Sequence, residues 1–247
     1  MKAEQSANPM LEENVLKEYA DQIRATGKID PALYEKYNVK RGLRNSDGTG
    51  VLVGLTCIGS VHGYMISESE KVSVQGQLLY RGIDVNDLVQ GFQGEKRFGF
   101  EECAYLLLFG ELPTADQLKG WNELLGSYRR LPDGFKESAI IRAPGKDLMN
   151  SIARAVLMAY IYDPAPDKLD IETTLRQSIE LIAQFPTIAA YAYQAKAHYH
   201  MGQSLMMRYP EKGKSTAENF LMLIREDGIY TQLEAELLDL CLVLHAE

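Results

Sequence analysis

The chain has 247 residues, with 26 Lys or Arg against 34 Asp or Glu and a formal net charge of −8. An acidic chain has no general attraction to nucleic acid or anionic lipid, so an anionic ligand would need a local cluster of cations. Hydrophobic residues make up 46% and charged residues 24%, with 20 Gly and 9 Pro, which is globular composition and excludes disordered and collagen-like chains. Cys57, Cys103 and Cys241 lie far apart without CxxC spacing. They make neither a disulfide framework nor a zinc pattern, and suit buried thiols in a reducing cytoplasm. The stretch from Met1 to Tyr19 lacks the apolar core of a signal peptide. No apolar run approaches the ~20 residues of a membrane helix. A soluble, cytoplasmic protein is expected.

Residues 1–40 read as an acidic helical arm. Leu11, Val15 and Tyr19 recur at helical spacing, and Asp30-Pro31 opens a second short helix. The Gly-rich, β-branched stretch that follows has no helical period. Val51 to Ile58 reads as a strand, and Val72, Val74 and Leu78 flank Gln75-Gly76-Gln77 in a small hairpin. That is too little β structure for a sheet-based fold.

From Asp84 onward the pattern is helix after helix. Asp84 caps one helix, and Phe100 to Phe109 predicts a short buried helix stopped by Gly110. Thr114 with Gln117, Ser215 with Glu218, and Thr231 with Glu234 have capping-box spacing. Between Lys146 and Tyr162, Leu148, Ile152, Val156 and Ala159 line one side of a helix. A longer helix is predicted from Ile171 to Met201, with an apolar stripe of Leu175, Ile179, Ile182, Ile188, Ala192 and Ala195. Pro186 should kink it, and the alanines beyond should let another helix approach closely. Helices this apolar face a large core or a subunit interface. The fold class is all-α, multi-helical, with a small N-terminal β-hairpin region.

Familiar catalytic signatures are absent: there is no HExxH, GxSxG or GxGxxG. Gly48-Thr49-Gly50 leads into the predicted strand rather than a helix. Gly213-Lys214-Ser215 resembles the tail of a phosphate-binding loop, but Arg208 stands where that motif needs Gly and Pro210 interrupts it. His198 and His200, two apart on a helix, diverge and cannot share a metal well. His62 reads as a turn residue, and His245 in isolation as a cation at a helix end. Among Lys40, Arg41, Arg44, Arg81, Arg129 and Arg130, Arg81 stands out for its place in the compact Leu79-Tyr80-Arg81-Gly82 phrase.

Several phrases together resemble the citrate synthase family, in its bacterial form. They are Leu79-Tyr80-Arg81-Gly82-Ile83-Asp84, the run from Phe100 to Pro113, the run from Ile182 to Tyr191, Asn219-Phe220-Leu221 and Leu244-His245-Ala246-Glu247. The resemblance spans about residues 41–247. It implies a mainly helical homodimer that condenses acetyl-CoA with oxaloacetate to give citrate and CoA, with no metal and no other cofactor. Its dimer interface would use the helices near 146–162 and 171–200. Residues 41–247 would form part of the large domain, without the small domain that closes over CoA. His245 maps onto the first His of the family's His-x-x-His substrate motif, and the chain ends one residue before the second. No catalytic residue is therefore expected within residues 1–247, and the chain alone is expected to be an inactive fragment. Alternatives of the same ancestry are a non-catalytic helical dimerisation module and part of a 2-methylcitrate synthase or related CoA-dependent acyltransferase.

Overall fold

The structure, a computed structural model, describes residues 30–37, 42–45, 48–51, 56–68 and 70–247. The chain divides into two units, residues 1–55 and 56–247. In the first, Asp30 and Pro31 do open a short helix, α1 (Ala32–Lys36). A bridge between Arg44 and Gly50 closes a turn in which the Asn45 amide donates to Thr49 Oγ1 (2.9 Å) and to the Gly50 carbonyl (3.1 Å). The predicted arm helix around Leu11, Val15 and Tyr19, and the middle of the predicted strand from Val51 to Ile58, lie outside the described residues.

The second unit begins with an antiparallel sheet in the order β1 (Gly59–Ser67), β2 (Glu70–Tyr80), β3 (Ile83–Asp84). The hairpin exists, but it reverses between Ser67 and Glu70, not at Gln75-Gly76-Gln77. His62 pairs with Gln77 and Tyr64 with Ser73, so Gly63 faces the three residues Val74 to Gly76. The glycine there makes a bulge within β2 and not a turn. His62 is accordingly a strand residue.

Helices supply the rest of the body: α2 (Val85–Gly94), α3 (Phe100–Phe109), α4 (Ala115–Tyr128), α5 (Leu148–Ala159), α6 (Ile171–Met201), α7 (Thr216–Ile224) and α8 (Gln232–Leu244). The mainly helical class with one small sheet is as expected. The three capping boxes form as spaced, Asp84 caps α2, and Gly110 ends α3 at φ 86°. A one-turn π-helical segment at Lys136–Ile141 precedes α5, and a 3₁₀ turn at Tyr160–Tyr162 ends it.

The 31-residue α6 is the organising element and packs against α4, α5 and α7. It stays helical through Pro186. Its alanines are buried where those helices approach, at Ala183, Ala190, Ala192, Ala195 and Ala197. One core cluster joins Phe135, Ile140, Ala155, Ile188, Tyr191 and Leu223, and a second joins Ala104, Trp121, Leu125 and Ile179. The third lies where the sheet meets the helices, around Tyr80, Leu88, Phe92, Cys103, Leu106 and Val243. Cys103 is buried there, its thiol pushed up to about 12 by burial, so it packs as a neutral hydrophobe. Cys57 and Cys241, expected to be buried, are exposed. Among the described residues no helix is long and apolar enough to cross a membrane.

Two buried carboxylates fix how these helices meet. Glu101 Oε1 accepts from the Thr216 amide at the start of α7 (2.7 Å) and from Arg129 Nη2 (3.2 Å). Arg129 Nη1 donates on to the carbonyls of Lys212 and Lys214, and its own carbonyl accepts from Thr187 of α6. Gly126 permits this approach, since a Cβ there would lie 2.4 Å from the Lys212 carbonyl oxygen. The second carboxylate, Asp239 of α8, accepts from the amides of Gly99 (2.7 Å) and Phe100 (3.2 Å). It thereby caps α3 from another helix. Gly99, at the cap position, cannot do so itself, and the Phe92 ring leaves no room for a side chain on it.

Two predictions follow from these carboxylates. Removing one member of the Glu101–Arg129 pair strands the other charge in the core, a loss of about 3–5 kcal/mol. Urea unfolding of Glu101→Ala should show that loss, and Glu101→Gln, which keeps an acceptor for the Thr216 amide, should lose less. A Glu101→Ala midpoint close to that of the unmutated chain would refute the assignment. For Asp239, burial raises the carboxyl from 3.8 to about 6, against the pull of the two amides. A raised folded value means the associated stability is fully present below about pH 4 and disappears as pH rises through about 6. The stability of the unmutated chain relative to Asp239→Asn should therefore grow, by about 1 kcal/mol, between pH 7 and pH 5. A difference that is flat or shrinks over that range would contradict it.

Candidate functional site

His245 follows the last turn of α8, and the sequence around it explains how that turn is held. Tyr80, fully buried at the end of β2, donates its hydroxyl to the Val243 carbonyl at 2.8 Å. Ala246 packs on the cluster around Tyr80 and Leu106, and the Glu247 side chain lies against Gly59 at the start of β1. The contact is close: a Cβ on Gly59 would come within 2.6 Å of Glu247 Cγ and push that side chain aside. The end of α8 is thus fixed by the base of the sheet on one side and, through Asp239, by the start of α3 on the other.

Held in this way, His245 is exposed, and its Nδ1 lies 2.7 Å from the Cys241 carbonyl oxygen. A carbonyl can only accept, so Nδ1 carries the hydrogen and Nε2 is the nitrogen left for a ligand. In the neutral ring Nε2 accepts; in the imidazolium it donates.

Arg81 belongs to the same corner, in the β2–β3 turn, where it adopts a left-handed φ of 49° followed by Gly82 at 83°. Its guanidinium does not wait for a substrate anion. Nε and Nη2 donate to the Leu107 carbonyl near the end of α3 (3.1 and 2.7 Å), and Nη1 lies 3.5 Å from Cys57 Sγ. The residue ties the sheet to the open carbonyls of a helix end.

Within the second unit the other candidates are not brought to this corner, and of them Arg129 and Lys214 meet, the Arg129 guanidinium donating to the Lys214 carbonyl. His198 contacts the Gln203 carbonyl at 2.7 Å and His200 the Pro144 carbonyl at 3.2 Å, both at the far end of α6. His62 Nε2 lies 2.9 Å from Ser60 Oγ on β1. Ser215 is the N-cap of α7 and Lys214 pairs with Glu211, so Gly213-Lys214-Ser215 begins a helix without a preceding phosphate loop. Arg129 is buried in the core, and Arg130 pairs with Asp133 over the Tyr209 ring. Arg44 donates to the Gly48 carbonyl, while Lys40 and Arg41 lie outside the described residues. Among the described residues no group of three or more His, Cys, Asp or Glu could hold a metal ion.

A cleft of about 1120 Å³ opens between α2, α3, α4 and the loop before α7. Some of its charged residues pair within the chain: Arg97 with Glu102, Arg129 with Glu101, Lys214 with Glu211. Every buried side-chain nitrogen and oxygen among the described residues has a partner, so no orphaned group points into the cleft. Sequence reasoning passed over Tyr80, Glu101, Arg129 and Asp239 as structural anchors. A signal existed for the acids, since Glu101-Glu102 interrupt an otherwise apolar helix where a buried charge requires a partner.

Comparison with known proteins adds the family. The model of the family described as citrate synthase, C-terminal domain, matches residues 48–247. The citrate synthase of Corynebacterium glutamicum is 30% identical over 177 residues, covering 70% of this chain and 38% of that protein. The 2-methylcitrate synthase 1 of the same organism is 32% identical over 186 residues, covering 73% of this chain and 45% of that protein. The crystal structure of citrate synthase from Pyrobaculum aerophilum superposes with a TM-score of 0.64 at 26% identity, over 80% of this chain and 46% of that one. A ternary complex of carboxymethyl coenzyme A and oxaloacetate with the citrate synthase of Thermoplasma acidophilum shares the fold at TM-score 0.62 and 22% identity, over 78% of this chain and 45% of that one. The chain spans less than half the length of these relatives. With the family model covering most of its length and the helical order in agreement, the chain belongs to the citrate synthase family.

Proposed function

We propose that this chain is the helical scaffold of a cytoplasmic citrate synthase, which joins acetyl-CoA to oxaloacetate and releases citrate and CoA without a metal ion. The observation that carries the reading is the family match over residues 48–247, together with an exposed His245 fixed at the end of α8. The relatives named citrate synthase, and the one solved with oxaloacetate and a CoA analogue, support the substrates.

The reaction needs a base to take a methyl proton from the thioester, donors to stabilise the resulting enol, and a further donor on the keto oxygen. It also needs closure that keeps water from the intermediate. His245 would contribute one of these contacts: as imidazolium, its Nε2–H reaches a carboxylate or keto oxygen of oxaloacetate, while Nδ1–H keeps the ring oriented on Cys241. No acid among the described residues is hydrogen-bonded to His245, and in this reading the base and the remaining donors lie outside the described residues. The outward face of α8, with Leu233 and Leu237 exposed, is the surface such a segment would cover.

A homodimer fits the outer face of α5. Met149, Ala153 and Leu157 recur there at four-residue spacing, followed by Tyr160 and Ile161, and all are exposed.

The deciding assay measures CoA release from acetyl-CoA and from propionyl-CoA with oxaloacetate, using the 247-residue chain and the polypeptide encoded by the uninterrupted reading frame. The chain alone should release none. The longer polypeptide should be active and indifferent to EDTA, and His245→Ala in it should raise the KM for oxaloacetate by about tenfold, the loss of a charge-assisted hydrogen bond. CoA release by the short chain would refute the scaffold reading. An unchanged KM would remove His245 from the pocket and leave the family activity standing.

A further inference from the structure

The β1–β2 hairpin is held to the core only at its base. Leu78 and Tyr80 reach the cluster around Phe92 and Leu106, whereas Val61 to Ser67 and the described part of Glu70 to Gln77 are exposed. A two-stranded hairpin is at best marginal in water by itself. This one also carries apolar side chains into solvent, Val61 at 79% and Met65 at 53% exposure, with Ile66, Val72 and Val74 beside them.

The strand order makes β1 the outer strand among the described residues, so the backbone N–H and C=O groups of its far edge have no partner strand among them. Edges are ordinarily guarded by Lys, by other charges, by Pro or by a bulge. Gly59–Ser67 contains no Lys, Arg, Asp, Glu or Pro, and the extra residues of the bulge belong to β2. The outer edge is therefore uncharged, and the register shift between His62 and Tyr64 has its extra residues on β2. It has no feature that selects a charged partner strand, and none that repels a copy of itself.

The sequence of β1 also matches itself. Two antiparallel copies related by a two-fold axis must be centred on a residue, so that side chains keep to their own faces. Centring on Gly63 sets Val61 opposite Met65 twice, on the face that already carries Val72, the β2 partner of Met65. On the other face it sets His62 opposite Tyr64 and Ser60 opposite Ile66. Centring on His62 would put Met65 opposite Gly59, and centring on Tyr64 would put Val61 opposite Ser67. Both lose the apolar pairs. Gly63 also leaves the axis free of side chains, and a Cβ there meets nothing within 4 Å in one copy.

We infer that β1 is a self-association strand: two copies of the chain pair edge to edge about Gly63, giving a four-stranded antiparallel sheet in the order β2-β1-β1-β2. This surface is separate from the outer face of α5.

The test is disulfide trapping in the full chain, with Cys57→Ser and Cys241→Ser to remove the exposed thiols. Directly opposed residues of an antiparallel pair have Cα atoms about 4.5–5.5 Å apart, within disulfide reach. Gly63→Cys should therefore give a covalent dimer as the main product under oxidised glutathione. Lys71→Cys, equally exposed on β2, should stay largely monomeric. Adding Met65→Lys to Gly63→Cys should cut the cross-link about tenfold, by replacing both apolar pairs with charges. A Gly63→Cys yield no greater than that of Lys71→Cys, or one indifferent to Met65→Lys, overturns the inference. Should Gly63→Cys fail to fold, sedimentation of the unmutated chain against Met65→Lys decides: a smaller mass for the variant supports the pairing, and equal masses overturn it.

Discussion

Helix ends buried against other helices are the constraint that this structure is built around. Each end leaves backbone amides or carbonyls that the helix cannot satisfy, and leaving one unpaired in the interior costs about 1–3 kcal/mol. Here the missing partners come from distant parts of the chain. Glu101 takes the Thr216 amide at the start of α7, and Asp239 takes two amides at the start of α3. At the opposite ends, Gln194 of α6 donates to the Leu223 and Ile224 carbonyls of α7, Tyr80 to Val243 of α8, and Arg81 to Leu107 of α3. Acids sit at N-termini and donors at C-termini, as the helix dipole favours.

Because every cap of this kind joins two elements, the caps set the packing as well as the satisfaction of polar groups. Asp239 fixes the middle of α8 to α3, and Tyr80 fixes its C-terminal end to the sheet, so His245 is positioned by two contacts it does not make. Glycine marks the places where these contacts need close approach. Gly99 yields its side-chain space to Phe92 and its capping role to Asp239, and Gly126 yields space to the Lys212 carbonyl beside Arg129. A larger residue at either position would separate the partners of a cap.

Local caps were legible in the sequence, and distant ones were not. Thr114, Ser215 and Thr231 each act within one turn, so spacing alone identifies them, and the apolar stripe of Ile171–Met201 needs only a helical period. The partners of Glu101 and Asp239 lie 115 and 140 residues away, which no local pattern reports. The hairpin was misplaced for a related reason. Gln75-Gly76-Gln77 has turn composition, but glycine serves a bulge as readily as a turn, and the pairing of His62 with Gln77 decides between them. His245 was found through its motif, yet the nitrogen it offers depends on the Cys241 carbonyl, which only the helix geometry supplies.

The polar accounting of the described residues is closed, whereas their apolar accounting is not. Every buried side-chain nitrogen and oxygen has a partner, but α5, α8 and the β1 hairpin keep apolar residues in solvent. The asymmetry follows from the size of the two penalties. An unpaired buried polar group loses its full solvation at once, so it must be satisfied within the unit that buries it. An exposed apolar side chain forgoes only about 25 cal/mol for each Å² left in water, a gain that a later partner can still supply. A scaffold whose buried helix ends are tied to distant elements in this way can therefore hold its shape while apolar faces of α5, α8 and the hairpin stay in solvent. The same division explains why the corner around His245 is firmly built, with the Tyr80 hydroxyl and the Asp239 carboxylate both satisfied inside it.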